Sequence, residues 1–207
     1  MAQYFKIHPV NPQRRLLERA AAMVREGAVI VYPTDSTYAL GWHIGDKAAL
    51  ERVRRIRQTE RDHDFTLVCR DLSEIAAYAR VDNWAYRLLR SLTPGPFTFI
   101  LRATHEVPKR LQDPKRRSIG IRVPGNTIAR ELLEELGEPL MSSTLLLPDE
   151  DLPMTDPEEI RDRLDKVVDL VLDGGTGGVE PTSVLDLSRD DVSVLRRGKG
   201  DVAAFED

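Results

Sequence analysis

A mixed α/β sheet with helices packed on its faces is the fold class that this sequence predicts, and three observations predict it. Short apolar runs, AVIVY (28–32), FTLVC (65–69), FTFIL (97–101) and SIGIRV (118–123), alternate with longer amphipathic stretches. Such alternation of periods marks strands followed by helices. Helix-ending and helix-starting residues sit between the two kinds of segment. Apolar residues make up 41% of 207 residues, which is enough for one core in a domain of this length. We read residues 1–207 as a single domain built on a twisted, open mixed sheet with flanking helices.

The elements follow in order. Asn11-Pro12 reads as a cap and first helical residue, and Leu16, Leu17, Ala20, Ala21 and Val24 form one stripe that Gly27 ends. Strand 28–32 comes next. Asp46 caps a helix that reaches about Arg57, with Leu50 and Val53 on its inner face. After strand 65–69, helices are expected near 73–79 and 82–92. TPGP (93–96) is a rigid turn into strand 97–101. Strand 118–123 precedes an amphipathic helix from Asn126 to Leu136, closed by Gly137. LMSSTLLL (140–147) is a strand with three hydroxyls in its middle. Asp156-Pro157-Glu158-Glu159 opens another helix as a capping box. VVDLVLD, SVLDL and VSVLRR supply three further strands, the first two joined by the turn GGTGG. The acidic, proline-containing loop 148–159 reads as the most mobile connection.

Composition narrows the function classes. Net charge is −4, so a nucleic-acid contact would need a local basic surface rather than the whole exterior. Arginine outnumbers lysine 24 to 6; guanidinium groups suit bidentate phosphate contacts, although codon bias would give the same count. One cysteine, Cys69, allows no internal disulfide, and four scattered histidines give no metal-ligand spacing. No apolar signal segment or 18-residue apolar run is present, and a cytoplasmic setting is the expectation. There is no GxxxxGK[ST], no GxGxxG after a strand and no GxSxG.

Four polar clusters at strand ends could carry chemistry. YPTDSTYALG (32–41) places three hydroxyls and a carboxylate after a buried run; it could hold a polar ligand or be a self-bonded turn. RRIRQTERDHD (54–64) could grip phosphates or be a solvated helix end. KRRSIGIR (115–122) puts Arg122 inside an apolar strand. Burying it demands an anion, either a ligand carboxylate or a structural Asp or Glu. Ser142, Ser143 and Thr144 could bind phosphate or bond to one another.

Taken in this order, the clusters resemble the threonylcarbamoyl-AMP synthase (YrdC/YciO) family. VIVYPTDSTYALG, TPGPFTFIL, SIGIRVPGNTIARELL, GGVEPTSVLDL and VLRRG are similar to that family's motifs over about residues 8–200. The resemblance implies a YrdC-like fold with a basic concave cavity. It implies the conversion of L-threonine, bicarbonate and ATP, with Mg2+, to threonylcarbamoyl-AMP and pyrophosphate, a step toward the t6A modification of tRNA. It places threonine on Ser36 and Arg122, and the nucleotide on Arg57, His63, Ser118, Thr144 and Arg196. It implies no protein nucleophile, no metal ligand set and no tightly bound cofactor. Two departures resemble the YciO branch: the family's KxR becomes Arg57-Gln58-Thr59, and its SxN becomes Thr144-Leu145-Leu146. The alternative reading is a paralogue that binds double-stranded or ribosomal RNA without efficient catalysis.

Overall fold

The computed structural model describes residues 1–59 and 65–206. The elements run β1 (Gln3–Lys6), α1 (Arg14–Arg25), β2 (Ile30–Pro33), β3 (Tyr38–His43), α2 (Lys47–Arg57), β4 (Thr66–Val68), α3 (Leu72–Tyr78) and α4 (Asn83–Leu92). They continue with β5 (Phe97–Arg102), β6 (Ser118–Arg122), α5 (Thr127–Leu136), β7 (Leu140–Thr144), α6 (Pro157–Leu164), β8 (Leu170–Asp173), β9 (Ser183–Asp186) and β10 (Ser193–Arg196). Among the described residues the strands form one mixed sheet in the order β1-β8-β2-β3-β7-β4-β6-β5-β9-β10. The sheet is parallel at β1/β8, β2/β8, β4/β6 and β5/β9 and antiparallel elsewhere.

Local chemistry sets most helix starts. Asp46, Asp71, Asn126 and Asp156 each accept a backbone N–H of the first turn of α2, α3, α5 and α6, satisfying donors that a helix start leaves free. Gly137 ends α5 at φ +72°, a backbone region where glycine has no Cβ penalty. α1 departs from the sequence expectation. It starts at Arg14, not at the Asn11-Pro12 pair, because the Asn11 N–H donates to His8 Nδ1 in a preceding turn. Two strands also exceed the expectation. β1 is a four-residue edge strand on β8, and β3 occupies YALGWH, directly after the polar turn.

The sheet separates two apolar layers, as the period-2 alternation of strands requires. On one face Ile30, Tyr32, Leu170, Leu172 and Leu140 pack under Leu17, Ala21 and Val24 of α1 and Ile128, Leu132 and Leu136 of α5. On the other, Val29, Val31, Leu40, Trp42, Leu67 and Ile121 meet Leu50, Val53, Ile75, Leu89 and Ile160 from α2, α3, α4 and α6. Each fully buried aliphatic side chain contributes roughly 1.5–3 kcal/mol, so both layers are substantial. The apolar layer under α1 and α5 reaches Leu140 of β7 and Val68 of β4. Two residues along the same strands, on the same face, it gives way to Ser142 and Thr66 and opens into a cavity.

Candidate active site

The pairing register builds the floor of that open region. Ser142 on β7 lies opposite Thr66 on β4, Thr66 opposite Gly120 on β6, and Gly120 opposite Ile100 on β5. All four therefore form one row across the sheet, and all four line a cavity of about 520 Å³. That volume lies within the range of small-molecule sites, about 300–1,000 Å³. Thr98 and Thr182 extend the floor, their hydroxyls 2.8 Å apart.

Three arginines from separate elements face this cavity. Arg57, the last residue of α2, donates from one amino group to Ser143 Oγ and the Thr144 carbonyl, both at 2.6 Å. Burial alone lowers its guanidinium pKa. Arg196 of β10 donates to the Thr182 carbonyl at 2.9 Å and to the Thr182 hydroxyl at 3.0 Å. Its pKa is lowered by burial first and by the like charge of Arg122 second. Arg122, at the end of β6, is 7% exposed; it forms an ion pair with Asp35 and donates to Ser36 Oγ at 3.2 Å. The Nε atoms of Arg57 and Arg122 are buried without a hydrogen-bond partner among the described residues. Buried donors left unpaired are costly; these two belong to guanidinium groups that face the cavity.

The loop 34–37 forms the self-bonded turn that the sequence allowed. The Thr34 hydroxyl accepts the Ser36 and Thr37 N–H groups, each at 3.1 Å, and donates to the Thr37 carbonyl at 2.6 Å. This self-bonded turn presents Ser36 and Thr37 to the cavity. Asp35 fastens it in place. Its carboxylate holds Arg122 and accepts the Gly125 N–H at 2.8 Å, while its carbonyl accepts Lys199 Nζ. Tyr32 supports the same corner, its hydroxyl 2.6 Å from Ser142 Oγ; burial pushes its pKa up to about 12.

Of the residues singled out from sequence, Ser36, Arg57, Arg122, Thr144 and Arg196 thus line one cavity. Ser118 does not. It begins β6, is buried, pairs with Arg102, and lies two residues short of the lining Gly120. His63 lies outside the described residues. Leu146, where the family has an amide, lines the cavity, whereas the hydroxyl of Thr59 is buried and unpartnered among the described residues. Sequence reasoning noted the carboxylate of the 32–41 turn but not its pairing with Arg122. It was legible in principle, since a buried arginine needs an anion and Asp35 is the only carboxylate between Glu26 and Asp46. Thr66, Thr98 and Thr182 gave no signal, because only the strand register brings them together.

The cavity's mouth is apolar. Leu152, Val179 and Leu195, exposed by 61%, 44% and 54%, line it with Pro153 and Pro181. Asp151 is the one carboxylate among the described lining residues. The described residues contain no group of three His, Cys, Asp or Glu placed to hold a metal ion. They also contain no helix long and apolar enough to cross a membrane. A cationic, hydroxyl-rich floor beneath an apolar rim suits a ligand with clustered negative charge at one end and a flat apolar group at the other.

Comparison with known proteins agrees with this geometry. The family model Sua5_yciO_yrdC, described as "Telomere recombination", matches residues 22–198. The uncharacterized protein YciO of Escherichia coli K12 is 57% identical over 205 residues, covering 99% of this chain and all of that protein. The E. coli YciO crystal structure superposes with a TM-score of 0.95 at 56% identity over the whole of both chains. A threonylcarbamoyl-AMP synthase of Stenotrophomonas maltophilia is 31% identical over 174 residues, 82% of this chain and 92% of that protein. The Sua5 protein of P. abyssi, in a crystal structure with L-threonine, shares the fold at a TM-score of 0.85 and 21% identity, over 94% of this chain and 57% of that one. The chain belongs to the Sua5/YciO/YrdC family, whose more distant members here include proteins named threonylcarbamoyl-AMP synthase.

Proposed function

We propose that the protein forms threonylcarbamoyl-AMP from L-threonine, bicarbonate and Mg2+-bound ATP, and that it does so slowly. The observation that carries this reading is the convergence of Arg57, Arg122 and Arg196 on one hydroxyl-floored cavity. Threonine's amine and bicarbonate give the N-carboxylate with loss of water. A carboxylate oxygen then attacks the α-phosphorus, and the bond to the bridging oxygen breaks to release pyrophosphate. No protein nucleophile takes part. Catalysis rests on positioning and on charge placed where the phosphates gather negative charge. In this reading Arg122 and Ser36 orient the threonine carboxylate, and Arg57 and Arg196 face the triphosphate. Mg2+ arrives with the nucleotide and is held mainly by phosphate and water.

Low rate follows from the two departures. Leu146 offers hydrocarbon where relatives of the synthase type offer an amide, and Thr59 offers a hydroxyl in place of a cation. A hydrogen bond to a charged group is worth roughly 1.5–3 kcal/mol. One such bond lost in the transition state costs about 10–150-fold in rate. Threonine-dependent pyrophosphate release is the test. We expect a slow signal from the wild type and a faster one from Leu146→Asn/Thr59→Arg. A folded wild type whose pyrophosphate release ignores threonine and bicarbonate would overturn the proposal.

A further inference from the structure

One glycine of the cavity floor is not required by the fold. Of the 13 glycines, Gly27, Gly137 and Gly175 have positive φ and use the freedom that a missing Cβ gives. All the others but one are held by close approach, since a Cβ on each would fall 3.2 Å or less from a neighbouring atom. The exception is Gly120. It lies in the middle of β6 without positive φ, and a Cβ there would meet Thr98 Cγ2 at 3.4 Å, Ile100 Cδ1 at 3.5 Å and Thr66 Oγ1 at 3.6 Å. Those separations are near the optimum for non-bonded atoms. Glycine inside a strand weakens it and adds no packing, so the fold alone favours alanine. All four residues line the candidate site. The missing methyl therefore leaves space for a ligand, one of the reasons for which a strand keeps glycine.

The walls of that space have a definite chemistry. The Thr98 hydroxyl is turned toward the Thr182 hydroxyl at 2.8 Å, which leaves the Thr98 methyl beside Gly120. Ile100 Cδ1 is a second methyl. The Thr66 hydroxyl has no hydrogen-bond partner among the described residues. Two methyl groups and one free hydroxyl complement a small branched group that itself carries a methyl and a hydroxyl. Arg122 stands two residues further along β6, on the same face. In the proposed function it orients the amino-acid carboxylate, and an amino acid held there lays its side chain back over Gly120.

We infer that Gly120 is a specificity-determining residue: its missing methyl makes room for the methyl of the amino-acid substrate, while Thr66 pairs with the hydroxyl of the same side chain. The inference rests on the proposed synthase reading and adds to it the feature that tells threonine from serine. A pocket that accepts one extra carbon favours the larger ligand by about 10–200-fold. Moving that methyl from the ligand to the protein should cancel the preference.

The test is Gly120→Ala, read by differential scanning calorimetry and by calorimetric titration with L-threonine and L-serine. The melting temperature should stay level or rise by about 1–4 °C, because alanine restricts the unfolded chain. Threonine affinity should fall roughly 5–150-fold, the result of forcing one more carbon into an occupied space. L-serine, which lacks the methyl, should bind the variant no worse than it binds the wild type. Thr66→Val keeps the shape and removes the hydroxyl, and it should weaken both amino acids alike, by about 2–12-fold. A Gly120→Ala protein that melts several degrees below the wild type would return Gly120 to the fold and overturn the inference. So would an unchanged threonine affinity in that variant. Equal losses for threonine and serine would also overturn it, by placing the atoms that the two share over Gly120. A wild type that binds neither amino acid would instead overturn the synthase reading, and the inference with it.

Discussion

At the scale of single residues, Arg122 and Asp35 serve two purposes that substitution can separate. The pair is nearly buried, with side-chain exposures of 8% and 17%. Removing one partner from a buried pair costs roughly 3–5 kcal/mol because the other charge is stranded, while replacing both with neutral groups is often tolerated. Arg122→Ala should therefore lower stability strongly, as read by the urea midpoint. Asp35→Asn/Arg122→Met should recover much of that loss, since Asn keeps an acceptor for the Gly125 N–H. If Arg122 also orients the threonine carboxylate, the double variant should be stable yet fail to bind threonine in a calorimetric titration. Wild-type threonine affinity in the double variant would remove Arg122 from the site and leave it a structural cation. Sequence alone posed this choice between ligand and structural anion. The structure adds the Asp35 contact, and the proposed function requires the substrate to share the guanidinium with it.

Among the elements, the Gly-rich turn 174–178 couples β8 to the substrate corner by close approach. A Cβ at Gly178 would lie 2.2 Å from the Ser36 carbonyl oxygen, which is backbone and cannot rotate away. Gly178→Ala should therefore cost about 1–3 kcal/mol, as overpacking does, and should displace Ser36. Threonine affinity should fall more than ATP affinity; an alanine variant equal to wild type in both would mean the two loops move apart freely. The same kind of contact explains what the sequence hid. Gly41 reads as a strand breaker, yet it sits inside β3 because a Cβ there would meet Leu140 at 2.7 Å and the Tyr32 ring at 2.9 Å. β1 escaped notice for a different reason: its four residues are too short to display a period, and pairing with β8 creates it. The capped helices were legible because Asp46, Asn126 and Asp156 act through contacts two or three residues away. The cavity floor was not, since its row of Ser142, Thr66, Gly120 and Ile100 depends on pairings across four strands.

For the molecule as a whole, the distribution of charge matters more than its sum. A chain with net charge −4 carries three arginines in one cavity, two of them with pKa values lowered by burial. The fold thus holds desolvated cations, with Arg122 close enough to Arg196 to help lower its pKa. An anionic ligand that enters only the folded state relieves that opposition and stabilises the whole domain by mass action. At 100 times its dissociation constant the gain is about 2.7 kcal/mol. For a chain of this length, 1 kcal/mol shifts the melting temperature by about 2–4 °C, so saturating Mg2+-ATP should raise it by roughly 5–11 °C. The rise should shrink in Arg57→Ala and in Arg196→Ala. It should fall only weakly with salt, because partly buried pairs are screened less than exposed ones. Differential scanning calorimetry at two salt concentrations reads both effects. No shift with ATP, in a protein that melts cooperatively, would mean that the three arginines gather for an anion other than a nucleotide.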